Sequence, residues 1–127
     1  MLKKNNDLKL YDKGVYFMSL GGIGEIGANC YLYCCDGKWI MIDLGLSFAD
    51  EQFPGVDLLV PKIKFIEEIK DNLVAVIISH GHEDHAGAVA YLADYIKCPV
   101  YASSFAKLLI ENRLKEFGKL DSIDLIE

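Results

Sequence analysis

The chain has 127 residues, 52% of them hydrophobic, a mean hydropathy of +0.20 and a formal net charge of −6. That length and composition suit one core and one globular domain. The acidic balance excludes a free-standing nucleic-acid binder, which meets phosphates with clustered Lys and Arg, but not a small part of a larger nucleic-acid enzyme whose basic surface lies elsewhere.

Residues 1–13 form a polar N-terminal segment. Met1 to Asp12 carries no apolar signal core. No apolar run approaches the roughly 18 residues that span a bilayer. A cytoplasmic protein with no membrane partner is therefore expected.

The first expected strand is Gly14 to Leu20. It leads into Gly21-Gly22-Ile23-Gly24-Glu25-Ile26-Gly27, which contains a formal G-x-G-x-x-G at Gly22, Gly24 and Gly27. A dinucleotide site needs a helix directly after such glycines, so that the helix N-terminus receives the pyrophosphate. Here Asn29 to Cys35 is strand-like instead, and Asp36-Gly37 joins it to Lys38 to Asp43 as a type I′ hairpin. The dinucleotide reading fails on that context. The glycines then serve positive φ and close backbone approach in a loop beside a site.

Asp43 ends the third strand. As a carboxylate at a strand end, it is equally well a cap for the turn Asp43-Leu44-Gly45 or a group that holds a neighbouring ligand loop. Leu44 to Asp57 reads as a loop. Pro61 suits the first turn of a helix to about Lys70, with Ile63, Ile66 and Ile69 on one face and a solvated charged face opposite.

Leu73 to Ile78 is apolar and β-branched, the pattern of a buried strand. Directly after it comes Ser79-His80-Gly81-His82-Glu83-Asp84-His85-Ala86-Gly87, which holds all three histidines of the chain. Val89, Leu92, Ala93 and Ile96 then recur at helical spacing and predict a helix from Ala86 to Ile96. The histidines thus lie on a loop at the carboxyl end of a strand, where open α/β sheets bind ligands.

Imidazole nitrogen and carboxylate oxygen are standard zinc donors. His80 and His82 can share one ion, and Asp84 and His85 can turn toward a second. A pair of ions about 3.5–4 Å apart would stabilise a displacement at phosphorus or attack on a carbonyl. The plainer alternative makes Asp84 the N-cap of the following helix. It explains one residue of the four and leaves three clustered histidines without a reason.

Cys98 to Ala102 reads as a short strand, with Ser103 or Ser104 opening a helix through Phe117 that Gly118 stops. Ile123 to Glu127 alternates like a further strand. A chain that halts there is expected to be interrupted rather than complete. Cys30, Cys34, Cys35 and Cys98 have neither C-x-x-C nor zinc-finger spacing, so they read as small buried apolar side chains.

The loop from Ser79 to Gly87 resembles the signature of the metallo-β-lactamase superfamily. Leu20 to Gly27, Ile42 to Leu46 and Phe53 to Pro61 narrow the likeness to the amino-terminal part of the ribonuclease J family, of the β-CASP branch. The resemblance runs from about Gly14 to Glu127. It implies an α/β (α+β) fold over residues 14–127: a partial αββα sandwich, antiparallel strands first and strand–helix units after, without the β-CASP and C-terminal domains.

It further implies that His80 and His82 bind a first zinc, and that Asp84 and His85 bind a second. Asp84 also takes a catalytic part by orienting the attacking nucleophile. Asp43 matches the family's aspartate behind the histidine loop. The family's reaction is metal-dependent hydrolysis of RNA phosphodiesters, with RNA as the partner.

The family completes its two zinc shells with a later histidine, a bridging aspartate and another histidine. None of these is matched here, so at most a partial site is expected. Asp94, Asp121 and Asp124 are spare carboxylates with no claim to the bridge.

Three functional readings follow. One is the front part of a ribonuclease J-like enzyme whose remainder is encoded separately or has been cut from the sequence. Another is a non-catalytic truncated remnant that binds metal only. The last is a hydrolase of an ester, thioester or lactam, against which the ribonuclease-type flanks argue. Half of a two-sheet sandwich exposes an apolar sheet face, so self-association or poor solubility is expected.

Overall fold

A computed structural model describes residues 13–127; the polar segment expected over residues 1–13 lies outside them except for Lys13. Six strands and two helices recur in the order read from the sequence, with small shifts. They are β1 (Val15–Gly21), β2 (Cys30–Cys35), β3 (Lys38–Ile42), β4 (Ser47–Phe48), β5 (Leu58–Leu59), α1 (Ile63–Ile69), β6 (Leu73–Ile78), α2 (Glu83–Ala86), β7 (Val100–Ala102), α3 (Ser104–Glu116) and β8 (Leu125–Ile126); the short ribbon β4–β5 and the one-turn helix α2 complete the set.

One sheet carries the strands in the order β1-β2-β3-β6-β7-β8. β1, β2 and β3 are antiparallel, and β3, β6, β7 and β8 run parallel. The β2–β3 turn has φ 46 at Asp36 and 79 at Gly37, the two positive values a type I′ hairpin requires.

Strand alternation sorts the side chains. Cys30, Leu32 and Cys34 of β2, Trp39 and Met41 of β3, Val76 of β6 and Val100 of β7 are buried in one cluster with Ile66 and Ile69 of α1 and Ala106, Ile110 and Leu114 of α3. Trp39 meets Phe65 edge-on with ring centroids 5.5 Å apart. The alternate positions leave Phe17, Tyr33, Ile77 and Tyr101 exposed on the sheet. Among the described residues, one face is a core and the other is largely exposed. Cys35 belongs to the exposed side, which corrects the expectation that every cysteine is buried.

Two expected elements differ. Leu44 to Asp57 is not wholly loop, because Ser47 and Phe48 pair antiparallel with Leu59 and Leu58. The helix expected from Ala86 to Ile96 is broken. α2 ends at Ala86, and the Ala88 N–H donates to Leu44 O at 3.0 Å rather than to its own helix. Turns and a 3-10 turn over Ala93–Tyr95 follow. Val89, Leu92, Ala93 and Ile96 are buried all the same: the spacing reported burial, and a remote carbonyl took the backbone partner.

The parallel β3–β6 pair positions the site. Parallel neighbours end at the same edge of a sheet, so Asp43 and Ser79, each just past its strand, stand side by side. The Asp43 N–H donates to Ile77 O at 2.9 Å.

Candidate metal centre

Asp43 is the one buried charged residue among the described residues. Its backbone takes φ 63, a left-handed conformation that Asp tolerates better than most residues. Three donors converge on it. The Ser79 N–H donates to Oδ1 at 2.7 Å, the Ser79 hydroxyl to Oδ2 at 2.8 Å, and His85 Nδ1–H to Oδ2 at 2.7 Å.

Those bonds assign the imidazole tautomers. A hydroxyl has one proton, and Ser79 gives it to Asp43. His80 Nδ1, 2.9 Å from Ser79 Oγ, is then the donor in that contact. His80 and His85 thus both spend Nδ1–H on their backing groups and keep a lone pair on Nε2.

The remaining donor atoms fall into two pairs. His80 Nε2 lies 3.2 Å from His82 Nδ1, and two nitrogens on one tetrahedral zinc are separated by about 3.3 Å at the usual bond length. His85 Nε2 lies 3.4 Å from Asp84 Oδ2. The His80 and His85 rings are 4.1 Å apart between centroids, so the two pairs adjoin. Among the described residues no group of three or more His, Cys, Asp or Glu is arranged to hold an ion. The donor chemistry, imidazole nitrogen and carboxylate oxygen, fits a metal.

The loop is held from outside as well. The Leu44 N–H donates to His85 O at 2.8 Å, Leu46 N–H to Glu83 O at 3.0 Å and Asn29 N–H to Asp84 O at 3.0 Å. A Cβ on Gly45 would run into the Asp84 carbonyl. Glu83 forms an ion pair with Arg113 of α3 at 3.0 Å. Among the spare carboxylates, Asp94 is bound to Lys119 at 2.7 Å. Asp84 does not cap a helix: it sits in the first turn of α2, whose N-cap position is His82.

Two contributors were not singled out from the sequence. Ser79 bridges Asp43 and His80. Asn29 places its amide nitrogen 3.1 Å from Asp84 Oδ2 and 3.3 Å from His85 Nε2. A polar side chain opening an otherwise apolar strand, directly after a glycine loop, is the signal that points to Asn29.

Residues 23–123 match the family described as the metallo-beta-lactamase superfamily. The chain belongs to that superfamily. Its mixed α/β architecture, one central sheet with few helices, is that of a partial metallo-β-lactamase fold.

Among curated proteins the chain is 45% identical over 104 residues to a ribonuclease J of Sinorhizobium meliloti, covering 79% of this chain and 18% of that protein. It is 36% identical over 113 residues to ribonuclease J 2 of Staphylococcus aureus, covering 89% of this chain and 19% of that one. Ribonuclease J 2 of Staphylococcus saprophyticus is 36% identical over 108 residues, with 85% and 19% covered. The chain spans about a fifth of the length of these relatives, by those shares of 18% and 19%. Superfamily membership implies metal binding. Among the described residues no helix is long and apolar enough to cross a membrane.

Proposed function

We propose that this chain is the amino-terminal, metal-binding portion of a ribonuclease J-like hydrolase that cuts RNA phosphodiesters in the cytoplasm. Residues 14–127 form its incomplete metallo-β-lactamase domain and residues 1–13 a polar lead. The observation that carries the reading is the pairing of imidazole and carboxylate donor atoms. His80 Nε2 and His82 Nδ1 stand 3.2 Å apart, while the other nitrogens of His80 and His85 are tied back to Ser79 and Asp43. Identity of 45% and 36% to proteins named ribonuclease J supports RNA as the substrate.

His80 and His82 would hold a first zinc, and Asp84 with His85 a second. The metal would supply Lewis acidity against a phosphoryl oxygen. The chain's own residues do the rest. Asp43 keeps the His85 Nδ1 proton in place, so that Nε2 stays a donor. Ser79 does the same for His80. Asp84, part-exposed at the loop surface, aligns the attacking water.

A second reading has its own observation: the described donors come as two pairs rather than as a closed set. That favours metal binding without turnover by this chain alone. Hydrolysis of another ester, thioester or lactam is the remaining alternative. The test is zinc titration of the purified chain, followed by incubation with end-labelled RNA. RNA cleavage that His82→Ala abolishes supports the enzyme. Zinc binding without cleavage supports the binding remnant. Cleavage of a thioester with RNA intact sinks the ribonuclease reading.

A further inference from the structure

The glycine loop and the start of β2 are not used by the metal reading, yet they end at the metal loop. The Tyr31 hydroxyl donates to Asn29 Oδ1 at 2.8 Å. Asp84 O at 3.0 Å and Asp84 Oδ2 at 3.1 Å can only accept, so the amide nitrogen is the end that faces them, and its two protons go to them. His85 Nε2 adjoins the same nitrogen at 3.3 Å and keeps its lone pair, because its ring proton sits on Nδ1 and is donated to Asp43.

Gly22 makes room for this chain of bonds. Its φ is 84, and a Cβ there would run into Asn29 Oδ1 and would lie 2.5 Å from the Tyr31 hydroxyl. The backbone adds a second tie, with Asn29 N–H on Asp84 O at 3.0 Å and Gly45 N–H on Asn29 O at 2.9 Å.

We infer that Asn29 is a positioning residue for the second cation pair, with its amide, oriented by Tyr31, holding the Asp84 carboxylate and the His85 imidazole in register. Two ligand atoms on neighbouring residues of one short helix do not converge by themselves. Asp84 is part-exposed and has rotamers that point it into water. A donor held on Oδ2 selects the Asp84 rotamer that keeps Oδ2 3.4 Å from His85 Nε2. The His80–His82 pair has no such tie to Asn29, so the effect is confined to one half of the centre. This inference rests on the metal reading above.

The experiment titrates zinc chloride alone into the 127-residue chain labelled with nitrogen-15 at histidine. With three histidines in the sequence, each ring nitrogen is followed separately. His85 Nε2 reports the second pair and His82 Nδ1 the first.

Asn29→Ala is expected to weaken zinc binding read at His85 by roughly tenfold or more, the size of effect seen when a group behind a ligand is removed. Binding read at His82 stays within about twofold. Tyr31→Phe keeps the packing and removes the hydroxyl that orients the amide. It is expected to weaken the His85 reading by a smaller factor in the same direction.

Equal weakening at both histidines overturns the inference, since Asn29 then serves the fold as a whole. An unchanged His85 reading in Asn29→Ala overturns it too, while leaving the metal reading intact. Wild-type chain in which zinc moves no histidine resonance overturns the metal reading, and the inference with it.

Discussion

Asp43 accepts the Nδ1 proton of His85 at 2.7 Å although the two lie 42 positions apart. The same carboxylate holds both the backbone and the hydroxyl of Ser79. One buried side chain therefore orients both ends of the histidine loop. Asp43→Asn keeps the shape and tolerates the left-handed backbone, but turns one acceptor atom into a donor. Zinc affinity is expected to fall about 10- to 100-fold, and stability by about 1–3 kcal/mol. Calorimetric zinc titration and urea unfolding measure the two effects. Wild-type affinity in the variant would remove Asp43 from the account.

Gly45 is required by space. Any side chain there meets the Asp84 carbonyl, which is backbone and cannot rotate aside. Gly45→Ala is expected to cost about 3 kcal/mol or more and to shift the amide resonances of residues 83–85. A variant as stable as wild type, with those resonances in place, would show that the two segments pack less closely.

Burial raises the thiols of Cys30, Cys34 and Cys98, and that of Cys30 by a large amount. Burial, with a smaller contribution from the nearby Asp43 charge, pushes the Cys30 thiol from the ordinary 9.0 up to about 12. The folded state thus keeps a proton that the unfolded chain loses first. Stability from this group is whole below about pH 9 and declines as pH rises from about 9 toward 12. At about pH 10.5 the loss is on the order of 2 kcal/mol. Urea midpoints of wild type and Cys30→Ala at about pH 8 and about pH 10.5 isolate it. Equal declines in both proteins would show that other groups are responsible.

The exposed sheet face makes a solution prediction. Phe17 and Tyr33 lie across the β1–β2 register with ring centroids 5.1 Å apart, and Ile77 and Tyr101 pair farther along. Apolar area of this kind drives association. The isolated chain is expected to self-associate in light scattering after gel filtration. Phe17→Lys combined with Tyr33→Lys should shift it toward monomer. A wild-type chain that is already a monodisperse monomer with sharp cooperative melting refutes this.

Local patterns carried much of the fold. β6 was legible because it is an unbroken β-branched run, and the β2–β3 turn because Asp-Gly is nearly a signature of its geometry. The donor set was legible because four ligand-type residues fall within six positions, His80 to His85. The end of α2 was not, since helical spacing continues through Ile96 and the ladder is interrupted by the distant backbone of Asn29 and Leu44. Asp43 remained poised between two roles until its partners were seen. Asn29 was invisible as a contributor because its partner Asp84 is 55 positions away.

The stitching of residues 83–88 onto 29 and 44–46 has a consequence for portability. A synthetic peptide spanning Ser79 to Gly87 would carry every ligand-type side chain of the motif and almost none of its arrangement. The tautomers are chosen by Asp43, the loop carbonyls are taken by Asn29, Leu44 and Leu46, and closing such distant contacts requires most of the sheet to be in place first. Grafting the nine residues onto another scaffold would transplant a list of ligands. Moving the function requires moving the frame.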